Sequence, residues 1–285
     1  MSAAGPRMLR LPAPGKLNAF LHVTGRRDDG YHSIETLFVL ISRADAVTLA
    51  LRDDGAIVRS GENQGIALDD DLAIRAARAL QRHCRVEHGA TLRVDKHLPI
   101  GGGLGGGSSD AATVLLGLNR LWGLALSREV LMSLALGLGA DVPFFVFGET
   151  AFAQGVGEQL CPMTMPILWY VVLTPAVTVP TREIFAAPEL TRNSDSAKMR
   201  VFSEGYGRND LYAVAAARFP DIARCLDALA REAPGSGARM TGSGACVFAA
   251  FATEGAAQRA LSRMPGGITG FVARSITRHP LWCFA

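Results

Sequence analysis

From Lys16 to Val23 the chain alternates, with Leu17, Ala19, Leu21 and Val23 on one parity and Lys16, Asn18, Phe20 and His22 on the other. A period of two predicts a half-buried strand that turns Lys16 and Asn18 to the same face. Apolar runs at 34–41, 46–51, 91–97, 167–174, 246–251 and 270–276, with a strand-turn pair around 150–160, predict further strands. Apolar residues three and four apart predict helices after Asp69, Asp70 and Asp71, from Ser108 to about Trp122, after Ser127, from Thr181, and at 210–218, 221–232 and 254–263. The acidic triplet complements the positive end of its helix, and Ser127 is a candidate N-cap. Strands and helices alternate without the regular repeat of a barrel, which predicts a two-layer α+β architecture. A soft boundary near residue 155 divides 1–155 from 156–285, and the polar, glycine-containing stretch 195–208 predicts a mobile loop.

One stretch breaks both periodicities: Pro99-Ile100-Gly101-Gly102-Gly103-Leu104-Gly105-Gly106-Gly107-Ser108-Ser109-Asp110. Six glycines around one leucine leave a backbone free of side chains and able to take positive φ, so it can wrap a ligand closely. A flexible linker would sit among Ser, Pro and charged residues, whereas this run joins a predicted strand to an amphipathic helix. A glycine loop that opens into a helix presents bare N–H groups at the positive end of the helix dipole, a site for phosphate. A P-loop would require Lys directly after the last glycine, and none follows Gly107. A dinucleotide fingerprint can be laid on Gly101, Gly103 and Gly106, but it lies well inside the chain and has no clear acidic partner after a second strand. A second glycine-rich turn, with Thr241-Gly242-Ser243-Gly244-Ala245, feeds the strand at 246–251.

Asp141 interrupts the apolar stretch 137–147, just before Pro143. Ionising a carboxylate there is costly unless a cation or hydrogen bonds hold it, and helix capping and a catalytic role both stand as readings. The whole chain has 285 residues, 49% hydrophobic and 19% charged, enough for a sizeable core. Its 29 basic and 26 acidic residues give a formal charge of +3 with no long basic run, so neither nucleic acid nor a membrane surface is an expected partner. The apolar run near Ile167 is too short to span a bilayer. Five widely spaced cysteines without a CxxC pair predict free thiols, a cytoplasmic location and no zinc site. The oligomeric state is not legible.

Pro14-Gly15-Lys16-Leu17-Asn18, the stretch 99–112 and Thr241-Gly242-Ser243-Gly244-Ala245 together resemble the three motifs of the GHMP kinase superfamily, small-molecule kinases named for galactose, homoserine, mevalonate and phosphomevalonate. More narrowly, Ala13–Asn18, Gly30-Tyr31-His32, Gly139-Ala140-Asp141-Val142-Pro143-Phe144 and Pro180-Thr181-Arg182-Glu183-Ile184-Phe185 are similar to the branch that acts on a cytidine diphosphate-linked methylerythritol in non-mevalonate isoprenoid synthesis.

The resemblance implies a two-domain GHMP kinase fold, with ATP and substrate in the cleft between the domains and the γ-phosphate passing to the 2-hydroxyl of that sugar alcohol. It implies that Pro99, Gly101, Gly102, Gly103, Leu104, Gly105, Gly106 and Gly107 cradle the ATP phosphates, with Ser108 or Ser109 joining them or Mg2+. Asp141 would accept the hydroxyl proton, with Lys16 beside it to keep it ionised and steady the alkoxide. Tyr31 and Phe185 would sandwich the cytosine, His32 would read its edge, Asn18 would position the diphosphate-sugar end, and Gly242 and Ser243 would approach the phosphates. The metal ligand is not assigned. Two positions depart from the pattern. Asp71 stands before Leu72 where relatives commonly show Asn, and Ala186 stands where some carry Lys. Mevalonate and homoserine kinases have no need of the Tyr31, His32 and Phe185 clamp; a non-catalytic nucleotide-binding regulator could lose Lys16 or Asp141, and both are present.

Overall fold

The computed structural model describes residues 7–61, 65–197, 207–235 and 237–285. Its framework is two long antiparallel strands, β1 (Met8–Arg26) and β2 (His32–Arg52), joined by a turn in which Gly30 has φ 86°. Each is continuous where the pattern predicts separate pieces. Pro12 and Pro14 do not break β1 because that end of the strand pairs with β2 alone, so a missing N–H disturbs no second ladder. Register shifts beside Pro14, Asn18 and Val23 bend the strand.

On its other side β2 pairs with β4 (Gly89–Asp95) through residues 46–52 and with β5 (Ala151–Gln154) through residues 36–38. Strand β3 (Ile57–Arg59) runs parallel to β4, and β6 (Gln159–Pro162) closes the far edge. Helices α1 (Leu72–Cys84), α2 (Gly106–Leu121), α3 (Arg128–Leu136) and α4 (Val142–Phe147) pack on this sheet around Leu40, Leu49, Ile74, Leu115 and Phe144. Asp71 caps α1, its Oδ1 accepting from the N–H groups of Ala73 at 2.9 Å and Ile74 at 3.4 Å. Ser127 does occupy the N-cap of α3, but its hydroxyl makes no cap hydrogen bond.

The second sheet is antiparallel, in the order β10 (Thr269–Arg274), β7 (Trp169–Thr174), β9 (Val247–Phe251), β8 (Arg239–Met240). It carries α5 (Thr181–Ala186), α6 (Tyr212–Arg218), α7 (Pro220–Glu232) and α8 (Glu254–Ser262). The change of sheet therefore falls between Pro162 and Trp169, downstream of residue 155, because β6 still pairs with β5. The chain end also crosses back. Leu281 is buried in the first core, Asn119 Nδ2 donates to the Phe284 carbonyl at 2.9 Å, and the Arg128 guanidinium lies 4.1 Å from the Trp282 ring centre.

Residues 13–23 of β1 are buried on both faces, so the strand is not half-solvated as its alternation predicts. Leu21 and Val23 join the second core, and Leu17 and Phe20 join a seam with Tyr170, Val172 and Phe248. Lys16 and Asn18, of the polar parity, face the junction of the two units. Most of the predicted loop at 195–208 lies outside the described residues.

Candidate active site

A cavity of about 590 Å³ opens at this junction, lined from the first unit by Lys16, Asn18, the glycine loop and Asp141, and from the second by Phe185 and Ser243. Helix α2 starts on its wall. Its N-cap is Gly105, in the left-handed region at φ 70°, and no side chain caps it, so its first N–H groups are unclaimed among the described residues. The two glycine turns touch backbone to backbone. A Cβ on Gly103 (φ 76°) would lie 2.2 Å from the Thr241 carbonyl oxygen, so only glycine fits there. Thr241 Oγ1 lies 3.2 Å from the Gly103 carbonyl and accepts from the Asn18 N–H at 3.0 Å.

Lys16 is 3% exposed and buried beside Phe38, whose ring centre is 5.3 Å from Nζ. Its Nζ donates to Asn18 Oδ1 at 2.6 Å and stands 3.4 Å from Asp141 Oδ2. Asn18 Oδ1 also takes the Gly242 N–H at 2.9 Å, while its Nδ2 donates to Thr36 Oγ1 at 2.8 Å. Asn18 thus aims Lys16 and ties β1 to the second glycine turn, with one amide N–H left over. Asp141 occupies the N-cap position of α4, yet its side chain caps nothing; it turns to Lys16 and remains 32% exposed to the cavity. Of the two readings of Asp141, capping is the one the geometry removes.

Near the glycine loop two expected groups are already engaged. Ser109 is fully buried and donates to the Pro14 carbonyl at 2.7 Å, which leaves Ser108, on the cavity wall, as the available hydroxyl. Asp71, besides capping α1, accepts from Arg59 Nη1 at 2.8 Å, so both of its oxygens already take part in structural hydrogen bonds. The structure adds a cluster that local sequence does not announce. Lys96 Nζ donates to Asp110 Oδ2 at 2.8 Å and to Asp45 Oδ2, while Asp45 Oδ1 takes the N–H groups of His97 and Leu98 at 2.5 and 2.7 Å. Asp110 Oδ1 is buried without a partner. Burial pushes the Asp110 carboxyl up to about 7 against the pull of Lys96, and Asp45 adds to the rise. Burial opposes the charge on Lys96, but Asp110 and Asp45 outweigh it and raise its pKa.

The rings of His32 and Phe185 meet with centroids 5.1 Å apart, and Phe185 lines the cavity. Tyr31 is 61% exposed, and neither it nor His32 lines the cavity, so of the expected clamp residues the structure packs His32 on Phe185 and places Phe185 on the cavity wall. Arg192, which sequence reasoning passes over, donates from Nε to His32 Nε2 at 3.1 Å. Among the described residues no group of three or more His, Cys, Asp or Glu could hold a metal ion, and no helix is long and apolar enough to cross a membrane.

The chain matches the model of the GHMP kinases N terminal domain over residues 71–149 and that of the GHMP kinases C terminal over residues 190–267. It is 60% identical over 273 residues to the 4-diphosphocytidyl-2-C-methyl-D-erythritol kinase of Thiobacillus denitrificans, covering 96% of this chain and 97% of that protein. A crystal structure of 4-(cytidine 5'-diphospho)-2C-methyl-D-erythritol kinase superposes with TM-score 0.80 at 32% identity, over 94% of this chain and 99% of that one. A homoserine kinase from Cytophaga hutchinsonii shares the fold, with TM-score 0.70 at 16% identity over 98% of each chain.

Proposed function

The chain belongs to the GHMP kinases and is an ATP-dependent kinase of a small molecule; from that premise we propose that it transfers the ATP γ-phosphate to the 2-hydroxyl of 4-diphosphocytidyl-2-C-methyl-D-erythritol. The observation that carries this choice of acceptor is the His32–Phe185 ring pair, whose Phe185 lines the cavity and whose His32 packs against it. A cytosine offers a π face to Phe185 and a polar edge to His32. Five cysteines, all free, support a reducing cytoplasm as the setting.

Phosphoryl transfer asks for alignment and charge neutralisation more than for covalent help. The unclaimed N–H groups at the start of α2 and the backbone of the two joined glycine turns supply donors for the triphosphate. The Ser108 hydroxyl makes no hydrogen bond within the described residues and suits Mg2+, which needs only one or two protein oxygens beside phosphate and water. When bound, that ion neutralises the β- and γ-phosphate charge. Asp141, open to the cavity, takes the proton from the acceptor hydroxyl. Lys16, buried and aimed by Asn18, meets the charge that develops on the acceptor oxygen without reorganising.

The test is ADP release by the purified protein with Mg-ATP and, separately, the cytidine-linked substrate, mevalonate and homoserine. Turnover with the first alone is expected. Turnover with one of the others reassigns the acceptor, and silence with all three points to a regulator.

A further inference from the structure

His32, at the start of β2, and Phe185, near the end of α5, come from different units, and one side chain binds both. Arg192 Nε donates to His32 Nε2 at 3.1 Å, and its Nη2 donates to the carbonyls of Phe185 at 2.9 Å and Ala187 at 2.6 Å. Its Nη1 donates to the Leu190 carbonyl at 3.1 Å. A guanidinium has five N–H donors and accepts nothing, so His32 Nε2 must be the acceptor in the first of these bonds. In a neutral imidazole the proton is then on Nδ1. Burial lowers the pKa of His32, and Arg192 and Arg26 lower it further, so the neutral ring is the resident form at pH 7.

We propose that Arg192 is a positioning residue that locks His32 as the Nδ1–H tautomer, so that the acceptor end selects cytosine over uracil. This rests on the cytidine-linked acceptor proposed above. Cytosine N3 carries a lone pair and accepts from Nδ1–H; uracil N3 carries a hydrogen and would set donor against donor. The opposite tautomer would reverse the preference, because Nδ1 would then accept. A merely structural arginine closing the end of α5 would need only the carbonyls of Phe185 and Ala187. The bond to His32 reaches instead across 160 residues of sequence to the other unit. One planar fork therefore sets both the wall and the reader of the base, and a misplacement of either would loosen discrimination without touching Lys16 or Asp141.

The experiment compares the wild type with Arg192→Met and Arg192→Lys. In the ligand-free wild type, 15N NMR of His32 should show a protonated Nδ1 and an unprotonated Nε2. In Arg192→Met the ring should shift toward Nε2–H. KM for the cytidine-linked substrate should rise about tenfold and the cytidine-over-uridine ratio of kcat/KM fall about tenfold, with kcat little changed, as expected for one lost fixed hydrogen bond. Arg192→Lys keeps a donor toward Nε2 and should recover the tautomer and part of the ratio. An Nε2–H tautomer in the wild type overturns the proposal outright, even if Arg192→Met does not fold. So does a folded Arg192→Met that keeps both the Nδ1–H signal and the ratio, whatever it loses in melting temperature. A wild type that ignores the cytidine-linked substrate removes the acceptor assignment instead, a result distinct from the tautomer read in the free protein.

Discussion

Lys16 and Lys96 stand on either side of the first turn of α2: a side chain at Gly105 would come 3.2 Å from Lys16 Cε, and one at Gly106 would come 3.0 Å from Lys96 Nζ. Lys16 is buried, Lys96 is largely so with 14% of its side chain exposed, and both face carboxylates. They differ in what water can reach. The partner of Lys16, Asp141, has a side chain 32% exposed, whereas Asp45 and Asp110, the partners of Lys96, are 0% and 7% exposed. An open carboxylate can receive a proton from an incoming hydroxyl; a sealed one can only hold its neighbours in place. On the proposed mechanism, the same pair of residue types serves chemistry in one spot and scaffolding in the other through the exposure of the carboxylate.

Substituting each cluster separately tests that contrast. The largest effect is expected from Asp141→Asn, which should lower kcat about 10²- to 10⁴-fold, the usual worth of a positioned base. Calorimetric ATP affinity and melting temperature should hardly move, and a near-normal kcat would reverse the assignment of the two clusters. Next is Lys96→Met, which leaves two carboxylates buried beside each other. Denaturant unfolding should show a loss of about 3–5 kcal/mol, the range for breaking a buried pair. Lys16→Met, with Asp141 free to turn to water, should lose less stability and far more kcat. Phe185→Ala should raise KM for the cytidine-linked substrate by about 1–3 kcal/mol of lost stacking, measured in steady-state assays, with a smaller effect on kcat.

The smallest effect separates the clusters by pH. The Asp110 carboxyl lies near 7 in the fold and near 3.8 when unfolded. Well below pH 3.8 both states hold the proton and nothing is lost. As pH rises from about 4 to 7 the unfolded chain ionises first, so the fold loses stability, fully by about pH 7. Asp110→Asn should flatten that fall, with a slope difference of at most about 1.4 kcal/mol per pH unit in unfolding measurements. A variant whose stability curve parallels the wild type would show that Asp110 is ionised throughout.

What was legible in the sequence is what neighbours in the chain encode. The glycine run can be read as a phosphate-binding candidate because its chemistry is contiguous, and the period of two puts Lys16 and Asn18 on one face without any tertiary knowledge. Asp141 is conspicuous because its surroundings are apolar. The Lys96 cluster was not legible, since its carboxylates lie 51 and 14 residues away and each looks like an ordinary charge. Nor was Arg192, 160 residues from the ring it orients. Ser108 and Ser109 look equivalent until the turn of α2 commits one to Pro14. The continuous β1 was hidden by its own prolines, which only an edge position makes harmless.

The return of the chain end to the first unit bears on how the protein is made. Domains usually fold in the order in which they leave the ribosome. Here Leu281 belongs to the core built by the earliest strands, and Phe284 completes the hydrogen bonding of Asn119. The half synthesised first thus waits, incompletely filled, for residues that emerge after all of the second sheet, and an expression fragment cut at the change of sheet would lack that plug.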